Sequence, residues 1–152
     1  MFIICIGLIV LTIIFVLLSK DADIKKQFNI PFYYHVIDHD LGKKPKSNII
    51  NYNGVYGCPD AIFKAPCFPI YIIGEAKSRN CNQIENVLSR EQYQLVLYMG
   101  IIKKKHSFSY VRGVFRFRNE VIPLSYSPKT FNMLMKLKLE AIRTNNCLRR
   151  QK

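Results

Sequence analysis

Residues 69–77 read Pro69-Ile70-Tyr71-Ile72-Ile73-Gly74-Glu75-Ala76-Lys77. A proline opens the stretch, an unbroken apolar run follows, and charge appears only at its end. A run that short and that continuous suits a central strand buried on both faces. Period two puts Glu75 and Lys77 on the same side of it. Such a pair can be a surface cross-strand contact. At the end of a buried strand, charge more often marks a site.

The neighbouring sequence supplies the rest of a sheet. Residues 61–65 read as a strand, and Pro66 and Pro69 bracket the turn between the two. Residues 49–53 read as a shorter strand, with Asn53-Gly54 and Gly57 as turn residues. Residues 89–100 read as a helix, with Ser89 at its N-cap, Gln92 in the capping-box position and Gly100 at its end. Val87, Leu88, Leu95 and Tyr98 fall near one face of it. Across 108–117, Phe108, Tyr110, Phe115 and Phe117 alternate with Ser109, Arg112, Arg116 and Arg118, and 120–126 is the hairpin partner. Ser127-Pro128 opens a last helix running to about Thr144, with Phe131, Leu134, Met135, Leu137 and Ile142 as its candidate buried positions. Residues 21–29 suit a short helix that Pro31 stops, whereas 31–46 carries no periodic pattern. The order predicts an α/β domain over 47–146, one mixed sheet flanked by helices.

Asp60, in Gly57-Cys58-Pro59-Asp60, stands fourteen residues before Gly74. If the two strands form a hairpin, Asp60 comes alongside Glu75. Two carboxylates there would hold a divalent cation through oxygen ligands, and the Ala76 backbone carbonyl could supply another. A cation so held would polarise a phosphodiester and acidify water. Lys77 would orient that water or stabilise charge developing on the phosphate.

Charge points to the same class of partner. The chain of 152 residues carries a net charge of +13, and every Lys, Arg, Asp and Glu lies after Leu18. A surplus that large on one small domain suits nucleic acid or anionic lipid. Arg112, Arg116 and Arg118 form a candidate stripe for a nucleic-acid backbone. Lys103-Lys104-Lys105 reads as a solvated loop, with phosphate contact the competing reading. The five cysteines include no C-x-x-C pair. That excludes the usual zinc spacing and suits thiols of a reducing compartment better than a disulfide framework.

Residues 2–18 contain no charge, and fourteen of the seventeen are Leu, Ile, Val or Phe. As a helix they would span about 25 Å, at the short end of the transmembrane range. Insertion would be favourable by something on the order of 6 kcal/mol. Only Met1 precedes the run and no small-residue cleavage pattern follows it, so an uncleaved anchor is expected rather than a signal peptide. Lys20, Lys25 and Lys26 then predict a cytoplasmic body, joined by a juxtamembrane segment over 19–46.

Taken together, Pro59-Asp60, Glu75-Ala76-Lys77 and the helix motif Gln94-x-x-x-Tyr98 resemble the PD-(D/E)XK nucleases, specifically their RecB-type branch. The resemblance covers roughly 49–142. It implies a restriction-endonuclease-like core with Asp60, Glu75 and Lys77 as catalytic residues. It further implies Mg²⁺ or Mn²⁺ as the cofactor, DNA as the substrate, and Gln94 and Tyr98 as residues that position nucleic acid. RecB-type members usually carry an upstream acidic or His residue at the metal. Here His35, Asp38, His39 and Asp40 are the candidates, with His39 or His35 suited as an imidazole ligand and a solvated polar loop the competing reading. Some relatives hold an iron–sulfur cluster through four cysteines near the domain ends. Cys58, Cys67 and Cys81 lie inside the core instead, so no cluster is expected. Two other readings stand beside the nuclease. One is a non-catalytic nucleic-acid-binding module of this fold. The other is a lipid-binding membrane component of a secretion or transfer apparatus, which would show no metal dependence.

Overall fold

A computed structural model describes residues 21–41 and 49–150, with side chains as far as residue 141. The expected anchor at 2–18 lies outside the described residues. None of the described helices is long and apolar enough to cross a membrane.

The elements in chain order are α1 (Ala22–Gln27), β1 (His35–His39), β2 (Ile50–Tyr52), β3 (Val55–Gly57), β4 (Ala61–Lys64), β5 (Ile70–Ala76), a 3₁₀ turn (Ile84–Asn86), α2 (Ser89–Lys105), β6 (Tyr110–Arg116), β7 (Val121–Ser125) and α3 (Pro128–Arg150). Five strands form one mixed sheet in the order β1-β4-β5-β6-β7. β5 pairs antiparallel with β4 and parallel with β6. Its residues 71–75 are buried, as the unbroken apolar run required. A parallel pair needs a crossover, and α2 supplies it. The domain is thus α/β, a mixed sheet flanked by helices.

Two apolar layers sandwich the sheet. Tyr71, Ile73, Val111 and Phe115 pack with Leu95, Met99 and Phe131 from α2 and α3. Ile72, Val114, Ala61 and Phe63 pack with Ile24 and Phe28 of the α1 segment on the other face. Gly74 permits the close approach of α1, because a Cβ there would lie 2.7 Å from the Phe28 ring.

Several local expectations are corrected. β1 occupies the stretch that showed no period. Its register shifts between Val36 and Asp38, and that irregularity breaks the alternation. The 49–53 strand exists only as Ile50–Tyr52, outside the main sheet, paired with β3. Asn53 and Gly54 have φ of 47° and 70°, the double left-handed geometry of a two-residue hairpin turn, so the turn reading holds there. Gly57 belongs to a strand instead. The first residue of α2 is Ser89, and Leu88 takes the N-cap position. Glu91, rather than Gln92, reaches back to the Leu88 N–H, at 3.3 Å. Gly100 is interior to α2, where a Cβ would meet the Phe131 ring at 2.0 Å, so it serves α3 packing rather than helix termination. Ser127 does cap α3, accepting from the Thr130 N–H at 3.2 Å. Leu88, Phe108, Tyr110 and Leu137 are exposed rather than buried.

Candidate active site

The hairpin of β4 and β5 pairs Ala61 with Gly74, so Asp60 lies across from Glu75. The Ala76 N–H donates to Asp60 Oδ2 at 2.6 Å. In an extended strand a residue's N–H and C=O project to the same edge, which turns the Ala76 carbonyl toward Asp60 as well. Lys77 Nζ donates to Glu75 Oε1 at 2.9 Å. Asp60, Glu75, Ala76 and Lys77 are therefore together at one end of the sheet.

Glu75 sits on the α2 and α3 face beside Phe115, its partner in the β5–β6 register, and is 4% exposed. Burial raises its pKa and the Lys77 hydrogen bond opposes this, while the charge of Asp60 adds to the rise. The net direction is upward. Its Oε2 is buried with no hydrogen-bond partner among the described residues. A buried carboxylate oxygen left open beside a second carboxylate, with a main-chain carbonyl at hand, fits a magnesium-type cation, which uses one or two carboxylates and keeps several waters. Among the described residues, no group of three or more His, Cys, Asp or Glu stands close enough to hold a metal.

The raised pKa makes a stability prediction. Folding favours the protonated form of Glu75. That contribution is complete below the ordinary glutamate range and is lost as pH rises through the higher folded value. At neutral pH, without metal, the buried charge is a cost that Glu75→Gln escapes. Thermal unfolding of the metal-free protein should therefore give a higher Tm for the variant at neutral pH, converging with wild type near pH 4. A variant less stable than wild type at neutral pH would contradict the burial argument.

The upstream imidazoles do not join the site. His35 pairs with Lys64 at the far end of β1. His39 is in register with Ala61 on the α1 face, and its Nδ1 bonds the Leu41 carbonyl at 2.9 Å. Asp38, buried and in register with Ile62, lies on the Glu75 face. Asp40 is exposed beyond the strand end, its N–H bonded to the Asp60 carbonyl.

Gln94 Nε2 donates to Tyr98 Oη at 2.9 Å. The Tyr98 ring packs on Gly57, where a Cβ would come within 2.1 Å of it. Gly57 is three residues before Asp60, and Pro59 between them is fully buried. The pair on α2 thus braces the segment that delivers Asp60. The arginine stripe lies elsewhere. Arg112 and Arg116 are in register with Ile72 and Ala76, on the α1 face, opposite Glu75. β6 packs apolar side chains on both faces, Val111 and Phe115 on one and Val114 on the other. Arg116 and Arg118 line an open polar pocket with Lys26 and Asn29.

Arg79 and Glu91 were missed. Arg79 Nη2 meets Glu91 Oε2 at 2.7 Å, and its guanidinium lies 5.0 Å from the centre of the Phe117 ring. This ties the segment after Lys77 to the first turn of α2. The i, i+2, i+4 spacing of Glu75, Lys77 and Arg79 was the available signal.

No family model matches the chain, and no curated protein and no solved structure matches it.

Proposed function

We propose that this chain is a metal-dependent nuclease of the PD-(D/E)XK type, RecB-type branch, that hydrolyses DNA phosphodiesters at the cytoplasmic face of a membrane. The observation that carries the reading is the juxtaposition of Asp60 with Glu75 and of Glu75 with Lys77 at the end of a buried strand. The strand order around them, a hairpin followed by a helical crossover to a parallel strand, is compatible with a restriction-endonuclease-like core.

Asp60, Glu75 and the Ala76 carbonyl would hold the cation. When bound, it supplies polarisation of the scissile phosphate and acidification of water. Asp60 is fixed for this by the Ala76 N–H and by the segment braced on Tyr98. Glu75 must be ionised to serve, and Lys77 favours that state. The Lys77 side chain, 21% exposed with its ammonium on Glu75, would bring positive charge to a phosphate bound there. Arg116, Arg118 and Lys26 offer contacts to the flanking backbone, which fix register without reading sequence.

The test is cleavage of DNA by the purified full-length chain. Mg²⁺ or Mn²⁺ should support it, and Ca²⁺ or EDTA should not. DNA binding without cleavage under any divalent metal would favour the non-catalytic module, and cleavage surviving full chelation would remove the metal.

A further inference from the structure

The end of the sheet remote from Glu75 is built differently from the end that carries it. There β1 and β6 begin and β4 turns into β5. Phe32 and Tyr33 precede β1, Phe68 sits in the β4–β5 turn, and Phe108 and Tyr110 lead into β6. All five are exposed, Phe108 at 97% and Phe32 at 69%. β1 and β6 are separated by β4 and β5, so the five side chains spread over roughly 14 Å, three strand spacings of ~4.8 Å. The Tyr110 N–H bonds the Pro69 carbonyl, which keeps two of the aromatic loops together.

The charge at this rim is of one sign. Lys64 ends β4, and Lys103, Lys104 and Lys105 end α2. Residues 31–36, 61–74 and 101–119 contain no Asp or Glu. Asp60, Glu75, Glu91 and Glu120 are all toward the other end. Exposed aromatic rings interleaved with lysines are what a lipid headgroup layer accommodates, rings at the interface and ammonium groups on anionic lipid. The anchor expected at residues 2–18 would bring the domain to such a layer. Leu18, the last residue of the apolar run, is fourteen positions before Phe32. Even fully extended that spacer reaches less than about 50 Å, and α1 shortens it.

We propose that this aromatic and basic rim is a lipid-contact surface that seats the domain on the anionic leaflet, with the Asp60 and Glu75 end held away from the bilayer. The inference rests on the membrane half of the proposed function and not on the nuclease half.

The chain contains no tryptophan, so single Trp substitutions report without background. Full-length Phe68→Trp, Phe108→Trp and Tyr93→Trp would each be reconstituted in phosphatidylcholine–phosphatidylserine vesicles carrying brominated acyl chains. Tyr93 is exposed on the first turns of α2, at the opposite end of the sheet. Emission at positions 68 and 108 should be blue-shifted and quenched several-fold more than at 93, and replacing Lys103–105 by Gln should weaken the quenching. Vesicle-bound chain with equal, weak quenching at all three positions would overturn the rim while leaving the anchor standing. A blue shift without quenching would assign the rim to a protein contact, such as a second copy, and also overturn it. Failure of the chain to associate with vesicles would remove the rim and the membrane reading together. No DNA enters the experiment, so its failure is separate from any failure of the nuclease.

Discussion

Lys77→Ala should lower turnover on DNA by roughly 10²–10³-fold, the loss typical of removing one preorganised charge stabiliser. Binding should change far less. The chain carries 23 Lys and Arg, and losing one phosphate contact lowers the salt slope by only about one. A second signature separates the roles. The Lys77 hydrogen bond opposes the upward push of burial on Glu75. Without it the Glu75 pKa rises further, and the acid limb of residual activity should move to higher pH. Single-turnover rates and binding measured side by side decide the matter. Equal losses in both would make Lys77 an ordinary backbone contact.

Deleting residues 2–18 should convert the chain from an integral to a peripheral protein. Full-length chain should stay with membranes through high salt and alkali, because insertion through apolar burial is not screened by ions. The deleted form should keep its activity, since Asp60 follows Leu18 by some forty positions. Any remaining association, held by the basic rim, should vanish in salt, where exposed charges are screened within about 8 Å at physiological ionic strength. Sedimentation of membranes before and after a salt wash reads both results. Release of the full-length chain by salt alone would make it peripheral, and a mature N-terminus near Ser19 would make residues 2–18 a signal peptide.

What could be read from the sequence followed burial. The run 70–73 declared a central strand because both faces of β5 are covered, and the ends of β4 and β5 then fixed which charged residues meet. Asn53-Gly54 and Ser127-Pro128 were legible because turn and cap chemistry is local. β1 was not, since it is an edge strand with one fully buried position, Asp38, and a register shift beside it. Gly57 and Gly100 misled for a shared reason. Each is placed by a ring from a distant element, Tyr98 or Phe131, and no local rule reports such a contact. That Arg112 and Arg116 share the α1 face, opposite Glu75, was not legible either, because nothing in residues 108–118 announces the helix that packs Ile24 and Phe28 against Val114.

Asp60 and Glu75 together should hold one divalent cation. Manganese titration of the full-length chain, followed by the loss of the free-ion electron paramagnetic resonance signal, tests it most directly. Wild type should take up one Mn²⁺ that Mg²⁺ displaces. Asp60→Asn and Glu75→Gln should each lose it, and His39→Ala, on the opposite face of the sheet, should keep it. Undiminished Mn²⁺ uptake by both carboxylate variants, or its loss in His39→Ala alone, would contradict the account.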